Sequence, residues 1–199
     1  EEAAQTVREL FLRNVAIHMR SDVPVGAALS GGIDSSSIVA AMRRRMGPVA
    51  DLHTVTYLAD ETGLNEEAWA GMVARQVSAL SHTVRVTAGE LLGDLERLVA
   101  GQGEPIGGSS IYAHVRVLQA GPEEGIKVML GWQGADEMLA GYPYYLPARA
   151  ASYFQRARLW RGWKFLRSAA RRWPGGLAPL AITSGGVLVP SCVQGPLRR

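Results

Sequence analysis

The sequence has a single cysteine, Cys192, among its 199 residues. One thiol cannot form a disulfide within the chain, and it cannot supply a zinc site built from several thiolates. A chain that makes no use of disulfides is typical of a reducing compartment, so we expect a cytoplasmic location.

Long apolar runs are also lacking. No uninterrupted run approaches the roughly 18 residues that a membrane-spanning helix needs. The first residues are acidic and small rather than basic and then apolar, which does not match a secretory signal peptide. We therefore expect no membrane-spanning segment and no membrane partner.

Acidic residues are missing from the last third of the chain. Residues 1–137 carry 11 basic and 18 acidic side chains, whereas residues 138–199 carry 10 basic and no acidic ones. Such a tail can bind an anionic partner such as nucleic acid or anionic lipid, or it can be a solvated helix whose acidic partners lie outside this sequence. We favour the solvated helix and do not expect nucleic acid binding, although Trp160, Trp163 and Trp173 among the arginines leave the other alternative open.

The sequence does contain short apolar runs that alternate with amphipathic segments. This alternation predicts an α/β fold, namely a Rossmann-like parallel sheet with helices on both faces. Right-handed crossovers would place every turn from a strand to a helix at one edge of the sheet, where ligands bind. The predicted strands are 25–29, 52–57, 83–86 and 126–130, and the predicted helices are 5–20, 34–47, 88–100, 110–119 and one that Asn65 caps.

Beyond Pro147 the pattern weakens. Residues 148–173 are predicted to form one basic helix, which Pro174 and the two glycines after it would end. Residues 184–199 show no period and do not resemble the continuation of a packed domain. We therefore divide the chain into an α/β domain at 1–147 and a basic helical continuation with a truncated or irregular tail at 148–199.

A loop rich in serine and glycine joins the first predicted strand to the next helix. It supplies hydroxyl donors and flexible backbone through Ser30, Gly31, Gly32, Ser35 and Ser36. Backbone N–H groups in such a loop and at the start of a helix favour an anion such as phosphate. Asp34 would repel a phosphate unless a divalent cation lay between them. The loop therefore predicts a site for a phosphate group together with Mg²⁺.

A second glycine-containing turn, Gly131-Trp132-Gln133-Gly134-Ala135-Asp136-Glu137, follows the fourth predicted strand. The expected topology places it at the same sheet edge as the first loop, so that Asp34 and Asp136 could hold Mg²⁺ against the phosphates. By itself the segment could also be a helix N-terminus, whose two acids would suit the helix dipole.

Together these motifs resemble a known family. Ser-Gly-Gly-Ile-Asp-Ser at 30–35 is similar to the PP-loop of the ATP pyrophosphatases, which cleave ATP between the α- and β-phosphates. It is not a Walker A loop, because no Lys-Ser or Lys-Thr pair ends it. With Asp-Val-Pro-Val-Gly at 22–26, and Gly-Ala-Asp-Glu followed by Gly-Tyr at 141–142, the chain resembles glutamine-hydrolysing asparagine synthetase over about residues 5–150. The resemblance makes residues 1–147 the N-terminal part of a PP-loop synthetase domain, of the adenine nucleotide alpha-hydrolase type.

The resemblance implies an ATP-dependent ligase of asparagine biosynthesis that uses ATP and Mg²⁺. Aspartate, or a related carboxylate, would be adenylated with release of pyrophosphate, and ammonia from a glutaminase domain, which this sequence does not contain, would then displace AMP. A homodimer is compatible with the family. Catalytic roles are implied for Gln133, Asp136 and Glu137, and metal binding for Asp34 and Asp136. The implied nucleotide contacts are Ala28, Leu29, Ser30, Gly31, Gly32, Asp34, Ser35, Ser36, Tyr57, Gly131 and Trp132.

Two positions depart from the family pattern. Trp132 stands where the family usually has glycine, so we expect a bulky side chain and a strained backbone there. Gln133 replaces a glutamate proposed to handle the proton of ammonia, and an amide cannot act as that base. Two alternatives therefore stay open: the same adenylation with another acceptor, as in β-lactam synthetase-like or other amidotransferase relatives, and a catalytically inactive nucleotide-binding fragment.

Overall fold

The computed structural model describes residues 2–59 and 66–188, which form two compact units. The first unit ends at Trp132 and the second begins at Gln133. Each has a hydrophobic core of its own. The predicted domain boundary at residue 147 stays a prediction, because compactness alone does not define a domain.

The first unit is built on a four-stranded parallel sheet. Its elements are α1 (Glu2–His18), β1 (Val25–Ala28), α2 (Ile33–Met46), β2 (His53–Leu58), α3 (Glu67–Gln76), β3 (Leu80–Arg85), α4 (Ala88–Gln102), α5 (Ser109–Glu123) and β4 (Val128–Leu130). The strand order is β3-β2-β1-β4, so β1 lies inside the sheet. The predicted α/β class with a parallel sheet is confirmed.

Helices cover both faces of this sheet. Leu29, just after β1, packs in a cluster with residues of α1, α2 and α3, among them Val39 and Met42. Ala28 points to the opposite face and packs with Val117 of α5. Successive residues of a strand alternate between the two faces, and a strand covered on both faces carries apolar side chains on both. The loop after β1 therefore starts from a strand whose last three residues are buried.

Several predicted boundaries differ from the structure. The strand predicted at 83–86 is wrong at both ends, because β3 begins at Leu80 and ends at Arg85. The N–H of Leu80 donates to the carbonyl of Leu52 at 2.8 Å. The fourth strand begins at Val128 and not at residue 126. The predicted helix cap at Asn65 lies outside the described residues, and α3 begins at Glu67.

The second unit contains the helices α6 (Ala135–Leu139), α7 (Tyr145–Gln155), α8 (Leu159–Ala169) and α9 (Leu177–Leu188). The single helix predicted over 148–173 is wrong, because the chain turns at Ala157, with φ 54°, between α7 and α8. Residues 184–188 continue α9, and Ser184 is only 2% exposed, so the start of the predicted irregular tail at 184–199 is helical. Residues 189–199 lie outside the described part.

No helix within residues 2–59 and 66–188 combines the length and the apolar character needed to cross a bilayer.

Candidate functional site

The loop after β1 turns at Gly31, which has φ +82°. A Cβ atom at this position would lie 2.5 Å from the backbone nitrogen of Ala70 and 2.6 Å from Cβ of Trp69. Glycine is therefore required twice, once for the left-handed backbone and once for the close approach of α3. Sequence reasoning predicted Gly31 in the loop but missed that the first turn of α3 packs against it.

Two serine hydroxyls hold the loop in shape. Ser35 is 1% exposed, and its hydroxyl donates to the carbonyl of Gly32 at 3.2 Å and accepts from the N–H of Ser30 at 3.3 Å. The oxygen atoms of Ser30 and Ser35 are 3.0 Å apart, and that of Ser30 accepts from the N–H of Gly32 at 3.3 Å. These bonds preorganise the loop. Direct contact of either hydroxyl with phosphate stays a prediction.

The first turn of α2 offers unsatisfied polar groups next to the loop. Gly32 precedes the helix without a side-chain cap, and the first N–H groups of a helix have no acceptor within it. The hydroxyl of Ser36 is buried without a hydrogen-bond partner among the described residues, which costs free energy unless a ligand or water completes it. Together with the positive end of the helix dipole, these groups favour an anion.

Asp34 in the same turn is suited to a cation. It is half-buried and makes no ion pair with any residue that the structure describes. No cluster of three His, Cys, Asp or Glu side chains within residues 2–59 and 66–188 could hold a metal ion by itself. Mg²⁺ needs fewer protein ligands, since it is usually bound by one or two carboxylates together with phosphate oxygens. Asp34 fits that requirement, whereas its pairing with Asp136 stays a prediction.

Three strand ends of the first unit meet at one edge of the sheet. In the parallel register, Ala28 is opposite Val55, and Ala27 is opposite Leu130. This brings the loop, Tyr57 and the segment at 131–132 together, as the topology predicts.

The side chains around this edge limit how a nucleotide could be held. Ala28 and Leu29 are buried, so their side chains offer no contact to a ligand, and the N–H of Leu29 already donates to the carbonyl of Val55 at 2.9 Å. Tyr57 and Trp132 are half-buried and pack against the core cluster that contains Ala28. Gly131 is exposed, and a Cβ atom there would meet nothing within 4 Å.

The expected backbone strain at Trp132 is absent. Among the non-glycine residues that the structure describes, positive φ occurs at Ser78, Ala140 and Ala157. The indole packs against the core cluster formed by Val55 and Val117, among others, which accounts for how this large side chain is accommodated.

The second predicted motif forms a short helix bounded by two left-handed residues, Gly134 with φ 89° and Ala140 with φ 56°. The N–H of Gly141 donates to the carbonyl of Asp136 at 3.0 Å, and a Cβ atom at Gly141 would collide with the Asp136 carboxylate. The Tyr142 hydroxyl donates to Glu137 Oε1 at 3.1 Å, and this bond raises the pKa of Tyr142 because the carboxylate disfavours a phenolate. The catalytic roles of Gln133, which is exposed, Asp136 and Glu137 stay predictions.

Two scattered histidines come together at the other edge of the sheet. His53 Nδ1 is 3.0 Å from His82 Nε2, and His82 Nδ1 is 3.2 Å from Glu124 Oε2. When His82 Nδ1–H donates a hydrogen bond to Glu124, His82 Nε2 carries no proton and accepts a hydrogen bond from His53 Nδ1–H. Because His53 opens β2 at its amino end, this chain of contacts is separate from the edge where the loop lies.

A family profile described as asparagine synthase matches residues 6–182, which include both loops. The chain belongs to the asparagine synthase family. Both the resemblance and the expected PP-loop class are thereby confirmed.

Three curated relatives illustrate the similarity. Asparagine synthetase (glutamine-hydrolyzing) 1 of Bacillus subtilis is 29% identical over 156 residues, which cover 78% of this chain and 24% of the relative. A putative asparagine synthetase (glutamine-hydrolyzing) of Mycobacterium bovis is 36% identical over 132 residues, which cover 66% of this chain and 20% of the relative. Amidase chyE of Penicillium rubens is 32% identical over 154 residues, covering 71% and 23%. The chain thus spans about a quarter of the length of these relatives.

Proposed function

We propose that this chain is the nucleotide-binding part of an ATP-dependent amide-forming ligase. The enzyme adenylates the side-chain carboxylate of aspartate, releases pyrophosphate and transfers the acyl group to ammonia. The observation that carries the proposal is the serine-locked loop, with Asp34 and the uncapped start of α2 beside it. Membership of the family supports the use of ATP, and the names of two relatives support aspartate as the substrate.

In the first step a carboxylate oxygen of the substrate bonds to the α-phosphorus of ATP. The bond from that phosphorus to the oxygen bridging the α- and β-phosphates breaks, and pyrophosphate leaves with the electron pair. Negative charge grows on the leaving group, where the N–H groups of the loop and of the first turn of α2 would stabilise it. Asp34 would hold Mg²⁺, which supplies further neutralisation of the phosphate charge.

The loop needs little rearrangement before this step. The bonds of Ser30 and Ser35 fix the donors within the free loop, so their orientation does not have to be gained when ATP binds. In the second step ammonia attacks the acyl carbon and AMP leaves. We propose a glutaminase domain as the source of ammonia, in keeping with the relatives named glutamine-hydrolyzing.

Pyrophosphate release from ATP and Mg²⁺, measured with and without aspartate, tests the proposal. We expect aspartate-dependent release that falls about 100-fold or more in Asp34→Asn, which keeps the shape but removes the charge. Asp51→Asn is the matched control, because Asp51 is an exposed carboxylate of the same unit, before β2. ATP binding without release would mean an inactive nucleotide-binding module, and no ATP binding would overturn the proposal.

A second candidate function keeps the adenylation and changes the substrate or the acceptor. Gln133 favours it, because an amide cannot take the proton of incoming ammonia, and so does the similarity to a relative named an amidase. A panel of carboxylates and amines in the same assay separates the candidates. Release that depends on another carboxylate and not on aspartate would favour the second one.

A further inference from the structure

A cleft with a volume of about 370 Å³ lies between α4 and α5 in the first unit. Its apolar residues are Leu98 of α4, which is 8% exposed, Tyr112 of α5, which is 3% exposed, and the half-buried Val115. None of the described residues that line it belongs to the loop after β1 or to residues 131–132, so the cleft is distinct from the candidate nucleotide site. Clefts of this size, with an apolar lining and a few polar groups, are suited to small molecules.

Two side chains of opposite charge line the cleft, Asp94 and Arg97. The contacts of Asp94 with Tyr112 and Arg116 all use Oδ2, so Oδ1 has no hydrogen-bond partner among the described residues. The charge of Arg97 acts on Asp94, but its guanidinium makes neither a hydrogen bond nor an ion pair with any residue that the structure describes. Residues three apart are neighbours on a helix surface. A ligand that satisfies both must therefore carry an ammonium group and a carboxylate close together.

Two carboxamide groups also line the cleft, those of Gln102 on α4 and Gln119 on α5. Both side chains are exposed, and neither makes a hydrogen bond within the described part of the chain. A carboxamide has an acceptor oxygen and two N–H donors, so it can pair with another carboxamide through complementary hydrogen bonds. The ligand side chain that these groups suit best is therefore uncharged and polar.

We propose that this cleft binds a free α-amino acid whose side chain ends in a carboxamide. The carboxylate of the ligand would accept two parallel hydrogen bonds from the Arg97 guanidinium, and its ammonium group would donate to Oδ1 of Asp94. The Tyr112 hydroxyl, which donates to Oδ2 at 2.6 Å, holds the Asp94 carboxylate in place. An amino acid within a peptide lacks at least one of the two charged groups, so the cleft selects the free molecule.

Isothermal titration calorimetry of the 199-residue chain with L-asparagine tests this proposal. The titration contains no ATP, so its outcome does not depend on the proposed ligase activity. We expect saturable binding at one site per chain. N-acetyl-L-asparagine lacks the ammonium group, L-asparaginamide lacks the carboxylate, and L-leucine has a side chain of similar shape without hydrogen-bonding groups. Each should bind about tenfold more weakly or worse, because each leaves polar groups of the cleft without their partner.

Two pairs of variants assign the binding to the cleft. Arg97→Gln should weaken the binding of L-asparagine about tenfold or more. Glu96→Gln is its control, because Glu96 is the exposed residue before it on α4 and does not line the cleft. Gly101→Phe should abolish binding by filling the cleft, and Gly93→Phe should leave it unchanged. Both glycines lie in α4, and a Cβ atom at either would meet nothing within 4 Å, but of the two only Gly101 lines the cleft.

All four substitutions are at exposed positions, so far-UV circular dichroism should be unchanged and shows that any loss of binding is not unfolding. Binding of L-asparagine that survives both Arg97→Gln and Gly101→Phe would lie at another site and would overturn the proposal. The absence of binding to the unaltered chain, or equally tight binding of L-leucine, would overturn it as well.

Discussion

At Gly31, both the backbone conformation and the packing against α3 require a glycine. Gly31→Ala should cost more stability than Gly47→Ala, because both positions have positive φ, 82° and 83°, but a Cβ atom at Gly47 would meet nothing within 4 Å. We expect the unfavourable backbone conformation alone to lower the free energy of unfolding by about 1–2 kcal/mol in each variant. The additional loss in Gly31→Ala, with weakened ATP binding, would report the contact with α3. Urea unfolding of the two variants checks this, and equal losses would contradict it.

The side chain of Arg43 links α2 by hydrogen bonds to the turns at 47–50 and 77–78. Its guanidinium donates to the carbonyls of Val77 at 2.6 Å, Gly47 at 2.7 Å, Ala50 at 2.8 Å and Ser78 at 3.0 Å. Arg43→Lys cannot reproduce this planar fork, so we expect a loss of about 2–3 kcal/mol in urea unfolding. Arg44→Lys, one residue further along the helix and exposed, should be nearly neutral. A neutral Arg43→Lys would show that the four bonds add little net stability.

The importance of Arg43 could not be read from the sequence. Three arginines end α2, and each suits the negative end of the helix dipole. What distinguishes the first is that its side chain reaches the turns at 47–50 and 77–78, which only the packing of α2 beside α3 decides.

At the scale of elements, α4 and α5 are joined by a buried tyrosine. The Tyr112 hydroxyl donates to Asp94 Oδ2 at 2.6 Å. This hydrogen bond, together with the charges of Arg97 and Arg116, lowers the pKa of Asp94 although desolvation opposes the shift. A carboxyl group with a lowered pKa contributes stability that is present above its unfolded-state pKa and is lost as the pH falls through the folded-state value.

Tyr112→Phe should therefore flatten the acid side of the stability profile. Without the hydrogen bond, the pKa of Asp94 moves back toward its ordinary value, so folded and unfolded chains bind more similar numbers of protons. Urea unfolding at a series of pH values from neutral to acidic measures the slope. Tyr153→Phe, whose hydroxyl accepts a hydrogen bond from Arg149, is the control and should keep the slope. An unchanged slope in Tyr112→Phe would contradict the assignment.

Some elements could be predicted from local sequence and others could not. Pro24 and the glycines at 31 and 32 bound β1 and α2, so the predictions for both were correct within a residue. The start of β3 depends on pairing with β2, and the residue types of Leu80-Ser81-His82 do not by themselves predict a strand. The break at Ala157 lies between residues that favour helix, and beyond it α8 packs against α7 at Gly162.

At the scale of the whole molecule, each core cluster found among the described residues lies within one of the two units. Both clusters around the sheet draw only on residues up to Trp132, and the third draws on residues from Leu146 onward. A chain shortened to residues 1–132 should therefore fold cooperatively and still bind ATP. Circular dichroism during urea unfolding checks this.

The control for that experiment is a chain that ends at residue 124. It lacks β4, which pairs with β1 beside the loop, so we expect it to lose both the cooperative transition and ATP binding. Absence of a cooperative transition in the longer chain would show that the second unit is needed for folding.

Like the fold, the candidate site could be predicted from the sequence only in part. The loop after β1 and the sheet edge that it shares with residues 131–132 follow from motif and topology, because parallel strands align the residues that succeed them. The contact of Trp69 and Ala70 with Gly31 did not follow, since it joins residues almost 40 positions apart.

That contact also has a mechanical consequence. Because no space remains between Gly31 and the backbone of Ala70, the first turn of α3 cannot shift toward the loop without displacing it. The two segments are therefore mechanically coupled in that direction. A ligand that stiffens the loop would also slow the opening of the first turn of α3, and a tilt of α3 would be transmitted to the backbone of the loop without any bond between side chains.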